Sequence, residues 1–423
     1  MHRIQHTLSS IALIPLLALG LILVGCDDDD GPTGPPGNDD GNDELAIEGP
    51  FPDPSSANSY EEEIAVNLQS AGLGIRLEGD NPDPNILQEI YTGPSESRSI
   101  RLVSGSNLTF AQGTYGEIQS GVDLSAALSP DNLLRSDALE APDSPSSGTL
   151  QNADQLISFY IDQARHTSSN GVDFSQLSEK GVASALTYDE GAQILSDFAA
   201  GTVESNRADL WNEAFGHFGA PRDFASFLDF NDGDGLVNGS SFQDADGNGE
   251  VDLVSEAVYI WAGYTAERAA LADQTGNPND FARRAFEAFR EGRVDIDEGN
   301  DVSDHAETIL DAWEATVAVN VIHYTNSLES ALEDVDGEIT REKVGDTGGF
   351  QDSWGEAKVF VWTLQFASAQ LDDSQLETFH DKIGNDPPYS EGVTASDYSD
   401  DLAEVQQTIQ DAYDFADANV AEW

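Results

Sequence analysis

The sequence predicts a mainly α-helical protein, built as one antiparallel helical bundle or as two related bundles. A small mixed N-terminal region and an aspartate-rich loop insertion complete the expected architecture. Three observations carry this. From about residue 150 onward, apolar residues recur at spacings of three and four, the period of helices with one buried face. The 19 Phe, 11 Tyr and 6 Trp are too many and too periodic for a disordered chain. And 423 residues with 39% hydrophobic content can bury one large core or two modest ones.

The first 26 residues read as a secretory signal. Arg3, with His2 and His6, gives a weakly positive start, and residues 11–23 form an apolar run broken only by Pro15 and Gly20. That run is shorter than the ~20 residues a membrane span needs, and four aspartates follow at 27–30. Leu23-Val24-Gly25-Cys26 has the form of a lipobox, in which the Cys26 thiol takes the lipid where the signal is cut. The expectation is an exported lipoprotein of the bacterial cell envelope, tied to the membrane through its lipid. Residues 27–58 hold ten acidic residues, six prolines, five glycines and no basic residue, the composition of a disordered tether.

Between residues 59 and 148 the pattern is mixed. Glu63-Ile64-Ala65-Val66-Asn67-Leu68 and Ser99-Ile100-Arg101-Leu102-Val103 read as short strands among frequent prolines and glycines. Residues 142–148 resemble a linker. The helical domain then runs over 149–423, with helices expected at 151–166, 205–218, 253–271, 279–291, 304–332, 354–370 and 401–420. The clearest is 304–332, where Ile309, Trp313, Val317, Val321, Tyr324 and Leu328 make one stripe and Asp304 with Glu307 resembles a capping box.

Composition excludes several functions. With 79 acidic against 18 basic residues, the formal net charge is −61, which repels nucleic acid and anionic headgroups and fits a folded protein adapted to high salt, where carboxylates are screened. Cys26 is the only cysteine and Met1 the only methionine. Disulfides and thiolate metal sites are therefore impossible in the folded part, and a metal must be held by oxygen or imidazole. There is no HExxH, GxSxG or P-loop pattern.

The strongest local motif is Asp244-Ala245-Asp246-Gly247-Asn248-Gly249-Glu250-Val251-Asp252. Oxygen side chains at alternate positions around a glycine are how a short loop wraps calcium. Glu256 is a further candidate ligand, one residue beyond the twelfth position where a standard EF-hand has its glutamate. Asp229, Asn231 and Asp234 outline a looser second loop. The stretch 229–256 carries eight acidic and no basic residues, so a neutralising cation is expected, with a structural role.

A repeated phrase marks a second kind of site. Trp211-Asn212-Glu213-Ala214 recurs as Trp354-Gly355-Glu356-Ala357, with Trp313-Glu314-Ala315 as a weaker echo. Paired glutamates facing one another across a bundle could hold a metal. Taken in order, Trp211–Gly219, Ala288–Arg293, Trp313-Glu314 with Ile322–Asn326, and Trp354–Lys358 resemble the imelysin-like lipoproteins of bacterial envelopes, in the subgroup catalogued as a domain of unknown function. The resemblance covers roughly residues 150–420. It implies two related helical bundles, envelope placement, and an association with iron or another divalent metal. The family's Gly-x-His-x-x-Glu signature is absent, since His217 directly follows Gly216 and no glutamate follows.

Candidate pocket residues are accordingly Glu213, His217, Arg293, Glu314, His323, Asn326 and Glu356. Glu213 and His217 stand one helical turn apart, and Arg293 is expected to pair with a buried carboxylate. The resulting expectation is a non-enzymatic, calcium-stabilised protein that binds a metal, a metal complex or a small ligand. A calcium-dependent adhesion or scaffold protein is the rival reading, and an envelope hydrolase the third.

Overall fold

The computed structural model describes residues 49–53, 59–77, 83–93, 96–102, 108–119, 122–128, 153–164, 171–231, 235–344, 349–389 and 392–423. Cys26, the signal segment, most of the acidic leader and Asp234 lie outside the described residues. The fold is mainly helical, as its periodicity predicts. Among the described residues extended contacts occur only as isolated bridges, such as Ser99 with Thr114 and Phe110 with Val251. No described helix is long and apolar enough to cross a membrane.

The helices are α1 (Glu61–Leu77), α2 (Pro84–Thr92), α3 (Leu124–Ala127), α4 (Ala153–Gln163), α5 (Phe174–Ala183), α6 (Asp189–Ala199), α7 (Arg207–Phe218), α8 (Ile260–Gln274), α9 (Phe281–Glu298), α10 (Ser303–Leu332), α11 (Arg341–Val344), α12 (Gly349–Leu364), α13 (Asp373–Ile383), α14 (Ala395–Tyr413) and α15 (Asp417–Glu422). A π-helical turn, Ser184–Tyr188, joins α5 to α6. The 30-residue α10 is the axis of the molecule. One set of neighbours, α6 and α9, covers it on the side of Trp313, and another, α12 and α14, covers it further along. Both sets drain into one connected apolar core that runs from Phe51 to Trp423.

Two expected strands are corrected. Residues 63–68 belong to α1, whose residues 64–70 are buried without a break. The cause is enclosure: α5, α7 and α2 all pack against α1, so it shows no polar face, and a short apolar run cannot reveal its period. Its buried amides are satisfied, with Asn67 Nδ2 donating to the Gly216 carbonyl (3.0 Å) and Gln69 Nε2 to that of Ile90 (3.2 Å). Ser99 makes only its single bridge to Thr114.

The tether expectation is corrected at its end. Phe51 is fully buried and stacks on Phe215 of α7 with ring centroids 3.9 Å apart, while its amide donates to the Arg222 carbonyl (2.7 Å). An aromatic ring that finds such a slot outweighs the prolines around it. The capping box at Asp304 is also absent. The helix starts at Ser303 without a side-chain cap on its N-terminus, and Asp301 accepts the Ser303 amide instead (3.2 Å). True caps sit where the sequence reading assigned no helix: Asp173 starts α5, and Asp372 with Gln375 forms a reciprocal box on α13, each worth about 1 kcal/mol.

Candidate metal centre

Helix α7 carries the first copy of the tryptophan phrase. Trp211 is buried against Phe198 and Phe289, and its indole N–H donates to the Phe289 carbonyl on α9 (2.8 Å). That anchor fixes the rotation of α7, so Glu213, His217 and Gly216 face α1 and α6. Gly216 lets α1 approach: a Cβ there would lie 2.7 Å from Glu63 Cβ and 2.8 Å from Tyr60 Cβ. Gly191 on α6 serves the other flank, where a Cβ would meet the Trp313 ring at 2.7 Å and His217 Cβ at 3.2 Å.

This close packing brings Glu63, Glu213 and His217 together, each offering one ligand atom, all within 4.8 Å of one another. His217 is buried, and its Nδ1 has no hydrogen-bond partner. A buried ring nitrogen without a partner is unusual, because such groups are normally satisfied. The electrostatics point the same way. Burial, together with repulsion from Glu213 and Glu62, pushes the Glu63 carboxyl up to about 8. Burial, with Glu190 and Glu62, raises Glu213, and burial alone drops His217 to about 4. Three groups that resist ionising side by side are relieved by a cation, which favours both carboxylates and takes the lone pair of a neutral imidazole. Glu63 and Glu213 are only half-buried, so solvent reaches the cluster from one side.

The second copy of the phrase shows what the fold does when it supplies that charge itself. Trp354 on α12 is again anchored through its indole N–H, here to the Ile383 carbonyl (3.0 Å). Glu356, two residues on, faces Lys180 of α5 (3.4 Å), and Lys180 also meets Glu179 (3.1 Å). Burial works against this ammonium, yet Glu179, Tyr264 and Glu356 hold its pKa well above the usual lysine value. Two carboxylates here share a lysine; at α7 no salt bridge from a lysine or arginine reaches Glu63 or Glu213 among the described residues. Glu213 and Glu356 thus keep separate company and do not form one facing pair.

The other predicted pocket residues have structural tasks. Arg293 donates to Asn212 Oδ1 (3.0 Å) and pairs with Asp297 (2.5 Å), a largely exposed carboxylate on its own helix. The expected buried partner is therefore corrected. Glu314 gathers the loop after α12, accepting from Ser368 Oγ, Ala369 N and Tyr413 OH (2.9, 2.9 and 2.7 Å). His323 Nδ1 lies 2.7 Å from the backbone oxygen of Trp423, so that nitrogen carries the proton. Asn326 donates to the Val420 carbonyl (2.7 Å). Together His323 and Asn326 clamp α15.

In the acidic loop, Asp244, Asp246 and Glu256 converge, with ligand oxygens within 4.8 Å of one another. Glu256 closes the loop from below, accepting the amides of Asp246 (3.0 Å) and Asp252 (2.8 Å). Asn248 stands at the turn, its amide bonded to both Asp244 and Asp246, and its Oδ1 takes the Glu250 amide (2.8 Å). Glu250 is exposed. Asp252 is turned away to bond the Val254 amide (2.7 Å) and Gln112 (3.3 Å). In the second loop Asp229 accepts both nitrogens of Asn231 at 3.0 Å.

No protein-family model, no curated protein and no solved structure matches this chain. The class is set by its architecture alone: a helical bundle protein with an imidazole–dicarboxylate cluster between helices and, elsewhere in the chain, an acidic loop.

Proposed function

We propose that this protein is an exported, lipid-anchored, non-enzymatic metal-binding protein, holding a first-row divalent cation or a complex of one at Glu63, Glu213 and His217. One observation carries the reading: a ring nitrogen of buried His217 lies within 4.8 Å of one carboxylate oxygen each from Glu63 and Glu213. Two oxygens and a neutral imidazole suit iron(II), zinc or manganese, whereas calcium takes oxygens alone. Three protein ligands leave coordination positions for water or for a chelating group, and the half-exposed carboxylates suit a cargo that exchanges. The resemblance to imelysin-like envelope lipoproteins, with their association with metal uptake, agrees with this.

Calcium belongs to the same proposal as a structural ion at Asp244, Asp246 and Glu256. A surface adhesion role draws less support, since Ile86 and Val294 are the only large apolar side chains exposed among the described residues. Titration of the purified protein with zinc, manganese and iron(II), beside calcium, tests the reading. One equivalent of a first-row metal is expected, lost in His217→Ala and in Glu213→Gln. Binding that neither substitution weakens would refute it.

A further inference from the structure

Helix α1 meets α7 through a polar side chain as well as through the close approach at Gly216. Asn67 is fully buried, and its Nδ2 donates to two backbone carbonyls, that of Glu63 (3.1 Å) and that of Gly216 (3.0 Å). Both partners are acceptors, so the amide faces them with its nitrogen. The first bond runs back one turn along α1, and the second crosses to α7.

The crossing bond ends on the peptide that joins Gly216 to His217. That carbonyl lies in the last turn of α7, where a helix has no donors of its own left for its carbonyls, and Asn67 supplies one from the neighbouring helix. A single nitrogen thus holds the backbone of Glu63 and the peptide of His217, candidate ligands from two different helices. Gln69 offers an internal comparison. It is also fully buried and lies two residues on, about 200° further round the helix. Its Nε2 likewise donates to two carbonyls, those of Ile90 and Val122 (both 3.2 Å), neither of which belongs to the cluster. The chemistry of the two amides is the same, and only the place where it acts differs.

We infer that Asn67 is the positioning residue of the Glu63, Glu213 and His217 centre, setting the register of α1 against α7 and with it the distance from Glu63 to the two ligands of α7. Apolar packing is non-directional and leaves one helix free to slide or turn along the other. A hydrogen bond fixes both distance and direction, and this one acts beside the ligands themselves. Metal sites depend on such outer partners, whose loss costs about tenfold to a hundredfold in affinity. The inference rests on the metal-binding reading of the centre and adds to it a residue outside the ligand set.

Zinc titration and the visible absorption spectrum of the cobalt(II) form test it, on the purified protein and its Asn67→Leu, Asn67→Ser and Gln69→Met variants. Leucine removes both bonds of Asn67. A serine hydroxyl reaches the carbonyl four residues back on its own helix and is too short to reach α7, so Asn67→Ser isolates the crossing bond and decides the matter should Asn67→Leu fail to fold. Both Asn67 variants should bind zinc about tenfold to a hundredfold more weakly and shift the cobalt bands, which report ligand geometry. Gln69→Met should melt lower than the wild type and keep its zinc affinity and cobalt spectrum. Wild-type affinity with an unshifted spectrum in Asn67→Ser overturns the inference, and so does an equal loss of affinity in Gln69→Met, which would make Asn67 one structural amide among others. A wild type that takes up no zinc or cobalt overturns the metal-binding reading, and the inference with it.

Discussion

The carboxylate of Glu63 and the imidazole of His217 meet across a helix contact that a glycine makes possible. They stand 154 positions apart in the chain, on α1 and α7, yet their ligand atoms lie within 4.8 Å. Between them the helices touch at Gly216, where a side chain would collide with Glu63 and Tyr60.

Gly216→Ala should therefore separate the pair. Alanine is the better helix former by ~1 kcal/mol, but the colliding partners are Cβ atoms, which cannot swing aside without moving α1. A net loss of about 1–3 kcal/mol is expected in urea denaturation, together with weaker binding of zinc. Unchanged zinc affinity would mean that Glu63 is not a ligand.

The sequence showed two of the three residues of this site. Glu213 and His217 stand out because four residues on a helix make one turn, and the tryptophan before them marks the buried face. Glu63 carries no local sign. It lies in an enclosed helix whose apolar residues point every way, so its run reads equally as a strand, and nothing near it in the chain mentions α7. For α10 the reverse holds, since its stripe from Ile309 to Leu328 is long enough for the period to declare itself. Glu314, His323 and Asn326 looked like ligands because they are polar side chains beside that stripe; their carbonyl, amide and hydroxyl partners come from segments about 50 to 100 residues away, invisible to spacing.

Acid should weaken the fold through His323. Burial and the nearby Arg268 charge push its pKa down to about 3, so the unfolded chain takes up a proton near pH 6.5 that the folded chain refuses. Stability is fully present above about 6.5 and is lost as pH falls toward 3. His323→Gln should abolish its share of that slope, at most ~1.4 kcal/mol per pH unit, in urea curves taken at pH 7 and 5. An identical slope in both proteins would contradict the assignment.

Removing the cation at Lys180 should be severe. Lys180→Met leaves Glu179 and Glu356 buried without a lysine, and about 3–5 kcal/mol is the usual cost of stranding a buried charge. Adding Glu356→Gln should recover part of it, with a coupling of about 0.5–3 kcal/mol in a double-mutant cycle. Additive effects would place the two side chains out of contact.

Chelation should lower the melting temperature through the acidic loop. Calcium that binds only the folded state at a hundredfold excess over its Kd stabilises by ~3 kcal/mol. Asp246→Ala should remove most of the chelator sensitivity at fixed ionic strength, while Asp252→Ala, whose side chain caps the next turn instead, should remove less.

Lipid attachment is tested at Cys26. The wild-type protein should fractionate with membranes, and Cys26→Ser should be released or mislocalised. A wild type that stays unprocessed, with a variant that stays in the membrane, would identify the leader as an anchor helix.

The burial of Phe51 ties the start of the described chain to the candidate metal helix. Phe51 lies on Phe215, and Arg222 pairs with Asp53 beside it (3.2 Å). Phe215 lies two residues from Glu213 and two from His217 on the same helix. The first described stretch of the chain and the candidate metal helix are thus joined at one contact, so a change in the seating of Phe51 bears directly on the helix that carries Glu213 and His217.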